Sequence, residues 1–180
     1  MEFGTGLRVV IVNGRPGCGK TTFENICQDI LGSQYCKSRS SIDKIKEIAT
    51  MGGWQGGKEL KDRKLLSDLK RVFTEYNDLP TLDIIKFLSS WESNLESFHV
   101  SGMPHVLFVD IREPENIAKL KKTLNAITLL IRRPGDDDIE ISNDSDLQVF
   151  EYDYDWVINN DGSFEDLEGA AERFINWIFS

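Results

Sequence analysis

No run in this chain of 180 residues approaches the ~20 apolar positions that a bilayer-spanning helix requires. No leader with a basic start, an apolar middle and a small-residue cleavage site precedes the first strand-like segment, so the sequence reads as cytoplasmic, with no membrane partner. Cysteine is scarce: Cys18, Cys27 and Cys36 are odd in number and lack metal-ligand spacing, which argues for reduced thiols rather than a disulfide framework. Histidine is scarcer still, and His99 and His105 have no ligand spacing near them, so neither is expected to be catalytic. Positive charge is in deficit, with 21 Lys and Arg against 30 Asp and Glu, for a net charge of −9. A surface that tracks a nucleic-acid backbone needs clustered cations, so DNA is disfavoured as a partner, whereas local basic clusters still suit a small anion. Also missing are internal repeats, low-complexity linkers and any N-K-x-D guanine reader. With 40% hydrophobic and 28% charged residues the composition is that of one ordinary globular domain, residues 1–180.

What is present begins with "RVVIVNGRPGCGKTTFENI", Arg8 to Ile26. Leu7 to Val12 is a short β-branched run, the pattern of a strand buried on both faces of a parallel sheet. Gly14-Arg15-Pro16-Gly17-Cys18-Gly19-Lys20-Thr21 satisfies G-x-x-x-x-G-K-[ST] in full. Glycines at these positions let successive N–H groups point at phosphate oxygens, and the helix that follows adds the positive end of its dipole. Lys20 is expected to reach the β and γ phosphates of ATP and Thr21 to offer its hydroxyl to Mg²⁺, with Thr22 completing the loop and Cys18 a small filler. Arg15 faces either the donor's base or solvent.

Helical periods recur in "KTTFENICQDILG", in "SSIDKIKEIATMG" behind a Ser cap, from Leu60 to Tyr76 (Leu65, Leu69, Val72, Phe73, Tyr76), and after Pro80 to about His99. Tyr35 and Cys36 mark a short second strand, "HVLFVDIRE" and "AITLLI" are apolar strands, and "YDWVINND" is a last one. "PENIAKLKKTL" is a helix with Pro114 in its first turn, and "SFEDLEGAAERFINWIF" a closing amphipathic helix capped by Ser163. The acidic "PGDDDIEISNDSD" has no apolar period and reads as a short flap or hairpin. Strands alternating with helices imply an α/β fold, a parallel sheet covered on both faces.

Asp110 closes an apolar strand at the carboxyl edge of such a sheet, where ligands collect, and is expected to hold Mg²⁺ or take a proton, or else to cap the strand end. Arg112 lies two residues on and therefore on the same side, for a substrate phosphate or a salt bridge to Glu113 or Glu115. Ser40 and Ser41 open a helix and serve either an acceptor phosphate or simple N-capping. Trp54, between glycine pairs, either stacks on a base or pins its loop to the core; Trp91, Trp156 and Trp177 read as core.

Four segments, "GRPGCGKTT", "LKDRKLLSDLK", "HVLFVDIRE" and "YDYDWVINNDG", resemble the P-loop nucleoside-monophosphate-kinase-like family, in particular bacteriophage deoxynucleoside monophosphate kinases and animal-type phosphomevalonate kinases. The resemblance implies a P-loop kinase fold: a three-layer sandwich around a five-stranded parallel sheet of order 2-3-1-4-5. It also implies an acceptor-binding helical region at about 38–100 and a lid, here short and acidic, at about 132–151. It places Arg132 and Arg133 where the lid opens, for one of them to clamp the transferring phosphoryl or else for both to lie as exposed solubilising charges, and Arg63 near the acceptor, with Asp68 orienting it, touching the acceptor or lying at the surface. Asn160, in "NNDG", falls where the backbone meets adenine in this fold, or else belongs to a bare turn. The expected activity is ATP- and Mg²⁺-dependent transfer to a small phosphorylated acceptor, a (deoxy)nucleoside monophosphate. The competing acceptors are a hydroxymethylpyrimidine in phage DNA and an isoprenoid phosphate; a regulatory module that binds ATP without transferring it is the non-enzymatic alternative.

Overall fold

The computed structural model describes residues 6–97, 103–134 and 148–180. The acidic segment at 135–147, most of the expected lid, and His99 lie outside them. In chain order the elements are β1 (Gly6–Asn13), α1 (Lys20–Leu31), β2 (Cys36–Ser40), α2 (Asp43–Met51), α3 (Leu60–Asn77), α4 (Leu79–Ser97), β3 (Pro104–Asp110), α5 (Pro114–Leu124), β4 (Ile127–Arg132), β5 (Trp156–Asn159) and α6 (Phe164–Ile178). A 3-10 turn at Gln148–Phe150 precedes β5.

The five strands form one parallel sheet of order β2-β3-β1-β4-β5, the order expected. β1 is central because its β-branched residues can be buried on both faces: Val10, Ile11 and Val12 are fully shielded from solvent. β1 pairs with β3 from Gly6↔Pro104 to Val12↔Asp110 and with β4 from Val10↔Ile127 to Asn13↔Leu130. This register brings Asn13, Asp110 and Arg132 to one carboxyl edge. Residues of one parity, Val10, Val12, Val106, Phe108, Leu129 and Ile131, bury against Phe23 and Ile26 of α1 and Phe174 and Ile175 of α6. α5 covers the opposite face through Ile117 and Leu120, both buried.

The described residues up to Ser38 and from Leu95 onward form one compact unit; Arg39–Asn94 form a second. Within the second, α2 meets α3 and buries Ile45 and Ala49, and the Arg39 guanidinium lies 4.2 Å from the Phe87 ring centroid.

Several boundaries differ from the sequence expectation. β2 runs on to Ser40 instead of ending at Cys36. α4 begins at Leu79, because proline is tolerated in a first turn; the break falls at Asp78, left-handed at φ 54°. The apolar period of α3 does not mark a buried face: Leu65, Val72 and Tyr76 are 40%, 48% and 80% exposed. Trp177, expected in the core, is 38% exposed and packs its ring 4.7 Å from that of Trp156.

Phe174 ties this unit together, with ring centroids 5.7 Å from Phe23, 6.1 Å from Trp156 and 6.0 Å from Trp177. Phe174→Ala removes those contacts and leaves a cavity, and is expected to cost about 3–5 kcal/mol in urea unfolding.

Candidate functional site

The site grows from the turn between β1 and α1. Gly14, Gly17 and Gly19 have φ of 147°, 82° and 105°. Two of them also lack room for a side chain: a Cβ at Gly14 would meet the Ile131 carbonyl and Cys18 Sγ, and one at Gly19 would meet the Asn160 amide. Glycine is thus required by both dihedral and space. The loop is held at each end by an asparagine. Asn13 Oδ1 accepts from Gly14 N at 2.8 Å, and Asn160 Nδ2 donates to the Cys18 carbonyl at 2.9 Å. Asn160 N in turn donates to the Arg132 carbonyl at 2.7 Å, so the turn after β5 is tied to both β4 and the loop. Lys20 Nζ folds back to donate to the carbonyls of Gly14 at 2.6 Å and Arg15 at 3.1 Å, spanning the loop. Thr21 and Thr22 follow in the first turn of α1, both exposed. The result is a collar of left-handed backbone bridged by one ammonium at the start of a helix, a setting suited to a phosphate chain.

Arg15 does not face solvent. Its side chain is 5% exposed, and the guanidinium carbon lies 4.8 Å from the Phe150 ring centroid. Nearby, Tyr154 OH accepts from Asn13 Nδ2 at 2.7 Å and donates to the Val149 carbonyl at 2.8 Å, and burial pushes its hydroxyl up to about 12. The turn at Gln148–Phe150 is thereby fastened beside the loop.

Asp110 ends β3 at the same edge, and Arg112 is half-buried, its carbonyl accepting from Asn13 Nδ2 at 3.3 Å. Arg132 and Arg133 are exposed, and Arg132 Nε donates to Asn159 Oδ1 at 2.6 Å. Sequence reasoning missed Glu24, one turn after Lys20 and 5% exposed. Burial, and then the charge of Asp110, hold its carboxyl up at about 7, against a Ser38 hydrogen bond and the charge of Lys20. Glu24 shares an α1 face with buried Cys27, three residues on, but the spacing alone does not show that this face is covered.

Mg²⁺ takes oxygen ligands, and the oxygen-bearing groups here fit it: the Thr21 hydroxyl, the Asp110 carboxylate, and a buried Glu24 Oε1 that has no hydrogen-bond partner. Among the described residues no group of three His, Cys, Asp or Glu is placed to hold a metal without a substrate's help.

The remaining candidates lie in the second unit. Ser40 and Ser41 do not form the helix cap. Ile42 is the N-cap; Asp43 Oδ2 accepts from Ser40 N at 2.7 Å, Ser40 Oγ accepts from Ile42 N at 3.5 Å, and Ser41 is buried. Trp54 Nε1 donates to Asp62 Oδ1 at 3.0 Å, and Asp62 Oδ2 also accepts from Glu59 N at 3.0 Å, joining the glycine loop to the start of α3. Arg63 Nε donates to the Lys58 carbonyl at 3.2 Å. Asp68 does not orient Arg63; it pairs with Lys64 at 2.7 Å, one helical turn back, where the i,i+4 geometry favours it.

No family model matches the chain, and no curated protein matches it. Among solved structures it is similar to the Mycobacterium tuberculosis APS kinase in complex with AMPPNP and APS, with 14% identity, 98% of this chain and 99% of that chain covered, and a TM-score of 0.48. A sugar kinase from Janibacter sp. gives 20% identity, 96% and 94% coverage and a TM-score of 0.47. Thymidylate kinase from Ehrlichia chaffeensis gives 13%, 94% and 99%, and 0.41.

Glu24 generates a pH prediction. Its folded pKa of about 7 stands above the ordinary 4.5, so the stability it contributes is fully present below pH 4.5 and is lost as pH rises through 7. Glu24→Gln is therefore expected to gain on the parent by up to about 3 kcal/mol across that window. Urea unfolding in chelator at pH 4.5 and at pH 7.5 reads the difference.

Proposed function

We propose that this chain is a Mg²⁺-dependent kinase that transfers the γ-phosphoryl group of ATP to a phosphate oxygen of a (deoxy)nucleoside monophosphate, giving ADP and the nucleoside diphosphate. The observation that carries the reading is the loop itself: three left-handed glycines between a buried strand and a helix, with Lys20 closing the ring.

Transfer of this kind asks the protein for position and countercharge more than for covalent chemistry. In this reading the loop N–H groups not already bonded within the turn, those of Gly17 and of Gly19 to Thr22, hold the β and γ phosphates, and Lys20 leaves the Gly14 and Arg15 carbonyls to meet their oxygens. Asn160, bonded to the Cys18 carbonyl, keeps the loop open around the donor and sets the turn beside adenine. Thr21 and Asp110 would hold Mg²⁺, which when bound offsets charge on the two phosphates. Arg112, Arg132 and Arg133 supply cations at the same sheet edge, where charge gathers on the moving group. The helical unit receives the acceptor: Ser40, Ser41 and Arg63 for its phosphate, Trp54 for its base, with Asp68 and Lys64 as a solvated pair beside them. A cytoplasmic setting belongs to this reading and accords with three buried cysteines, none of them in a disulfide.

A coupled ADP-release assay tests this across the four deoxynucleoside monophosphates, the ribonucleotides, mevalonate phosphate and hydroxymethyluracil DNA. Turnover with one nucleoside monophosphate is expected, and Lys20→Ala is expected to lower it by about 100-fold or more, since among the described residues Nζ is the ammonium that spans the loop itself. Release with the DNA or mevalonate phosphate alone would replace the acceptor, and none with any acceptor while ATP binds would leave the regulatory module. Arg63→Ala is expected to raise the acceptor KM by about tenfold while the ATP KM moves by less than about twofold. Equal shifts in both would place Arg63 elsewhere.

A further inference from the structure

Arg15 is more than nine-tenths buried, and two of its guanidinium nitrogens, Nε and Nη1, are shut from solvent with no hydrogen-bond partner. No carboxylate among the described residues forms an ion pair with it. Arginine is almost never fully buried unless paired, and a buried donor left unmade forfeits the hydration it had in the unfolded chain. Both nitrogens are closed to water in this conformation, so a ligand oxygen reaches them only once the Arg15 side chain or the chain around it shifts.

Two features show what the group is kept for. The first is its place: Arg15 belongs to the phosphate loop, and its own carbonyl accepts from Lys20 Nζ at 3.1 Å. The second is its support. The guanidinium carbon lies over the Phe150 ring, 4.8 Å from its centroid, a cation–π contact that steadies the group without using its N–H donors. Phe150 is itself held, because the neighbouring Val149 is fully buried and its carbonyl accepts from Tyr154 OH at 2.8 Å, while Tyr154 is bonded to Asn13 at the mouth of the loop. A cation fixed by an aromatic ring, beside an anion-binding collar, with donors unspent, matches the oxygens of a phosphoryl group.

We propose that Arg15 is an oxyanion-binding residue whose buried Nε and Nη1 donate to a phosphoryl oxygen of bound substrate, with Phe150 orienting the guanidinium. The inference rests on the kinase reading above and adds a residue to it. The oxygen belongs either to the γ-phosphoryl of the nucleotide donor or to the phosphate of the acceptor.

Calorimetric titration of the full chain with Mg·ADP, with Mg·AMPPNP, and with inorganic phosphate in the presence of saturating Mg·ADP separates the two sources. Arg15→Met, and Arg15→Lys as the conservative variant, are compared with the parent. Weakening of AMPPNP by about tenfold or more, with ADP unchanged within about twofold, assigns the γ-phosphoryl. Weakening of inorganic phosphate by a similar factor, with both nucleotides unchanged, assigns the acceptor's phosphate. Unchanged binding of all three probes by both variants overturns the proposal while leaving the kinase reading standing. A parent chain that binds neither nucleotide overturns the kinase reading and this inference with it. Should Arg15→Met fail to fold, the Nε–H resonance of Arg15 in the parent, assigned by its loss in Arg15→Lys, is followed during the same titrations. A downfield shift at saturation supports the contact, and an unmoved resonance overturns it.

Discussion

Everything at the candidate site depends on a stretch of backbone that only glycine can adopt. The turn from β1 into α1 passes through positive φ at Gly14, Gly17 and Gly19, and at two of these the space a Cβ would need is already filled by the chain's own atoms. Such a conformation persists only when its surroundings determine it. Here Asn13 fixes the entrance, Asn160 the far end at Cys18, and the Lys20 ammonium bridges back to the first residues of the loop. The central strand supplies the rest of the constraint, because its residues are buried on both faces and cannot slip without exposing them.

Charge is arranged around that loop in a way the net value of −9 conceals. The buried Glu24 and the Asp110 carboxylate share one side of it with Lys20, and their mutual repulsion, added to burial, holds Glu24 near neutrality. Arg15, Arg112 and Arg132 lie at the same carboxyl edge. A site built from both signs at close range is suited to a substrate that brings phosphates together with a divalent cation.

How much of this could be read in advance follows from where the information lies. The loop was legible because its requirement is written into residue identity at fixed spacing, and the sheet because Val9 to Val12, Val106 to Val109 and Leu129 to Ile131 are runs that suit burial on both faces. Strand order came from the family resemblance, and the sheet agrees with it. Asn160 could be picked out, although its bond to the Cys18 carbonyl spans 142 residues and no local pattern announces it. Glu24 and Phe150 were missed for opposite reasons. A glutamate in a helix that starts with polar residues looks like surface, and only packing shows it to be enclosed. Phe150 matters solely because the chain returns to Arg15. The α3 periodicity misled because helical spacing reports which residues share a face, not whether anything covers it. Ser40 and Asp68 found local partners in Ile42 and Lys64, which a reading aimed at ligands undervalues.

The central claim is that the left-handed loop, and not the surrounding charge, makes the phosphate site. Affinity for Mg·ATP in Gly19→Ala, compared with the parent in chelator-free buffer and with melting followed alongside, tests it directly. A methyl group at Gly19 must displace the Asn160 amide and adopt φ near 105°. The account predicts a loss of about 100-fold or more in affinity in a chain that still melts cooperatively, as expected when several backbone donors lose their aim together. Parent-like affinity in the folded variant would contradict it, and would mean that Lys20 and the arginines hold the nucleotide without the loop's geometry.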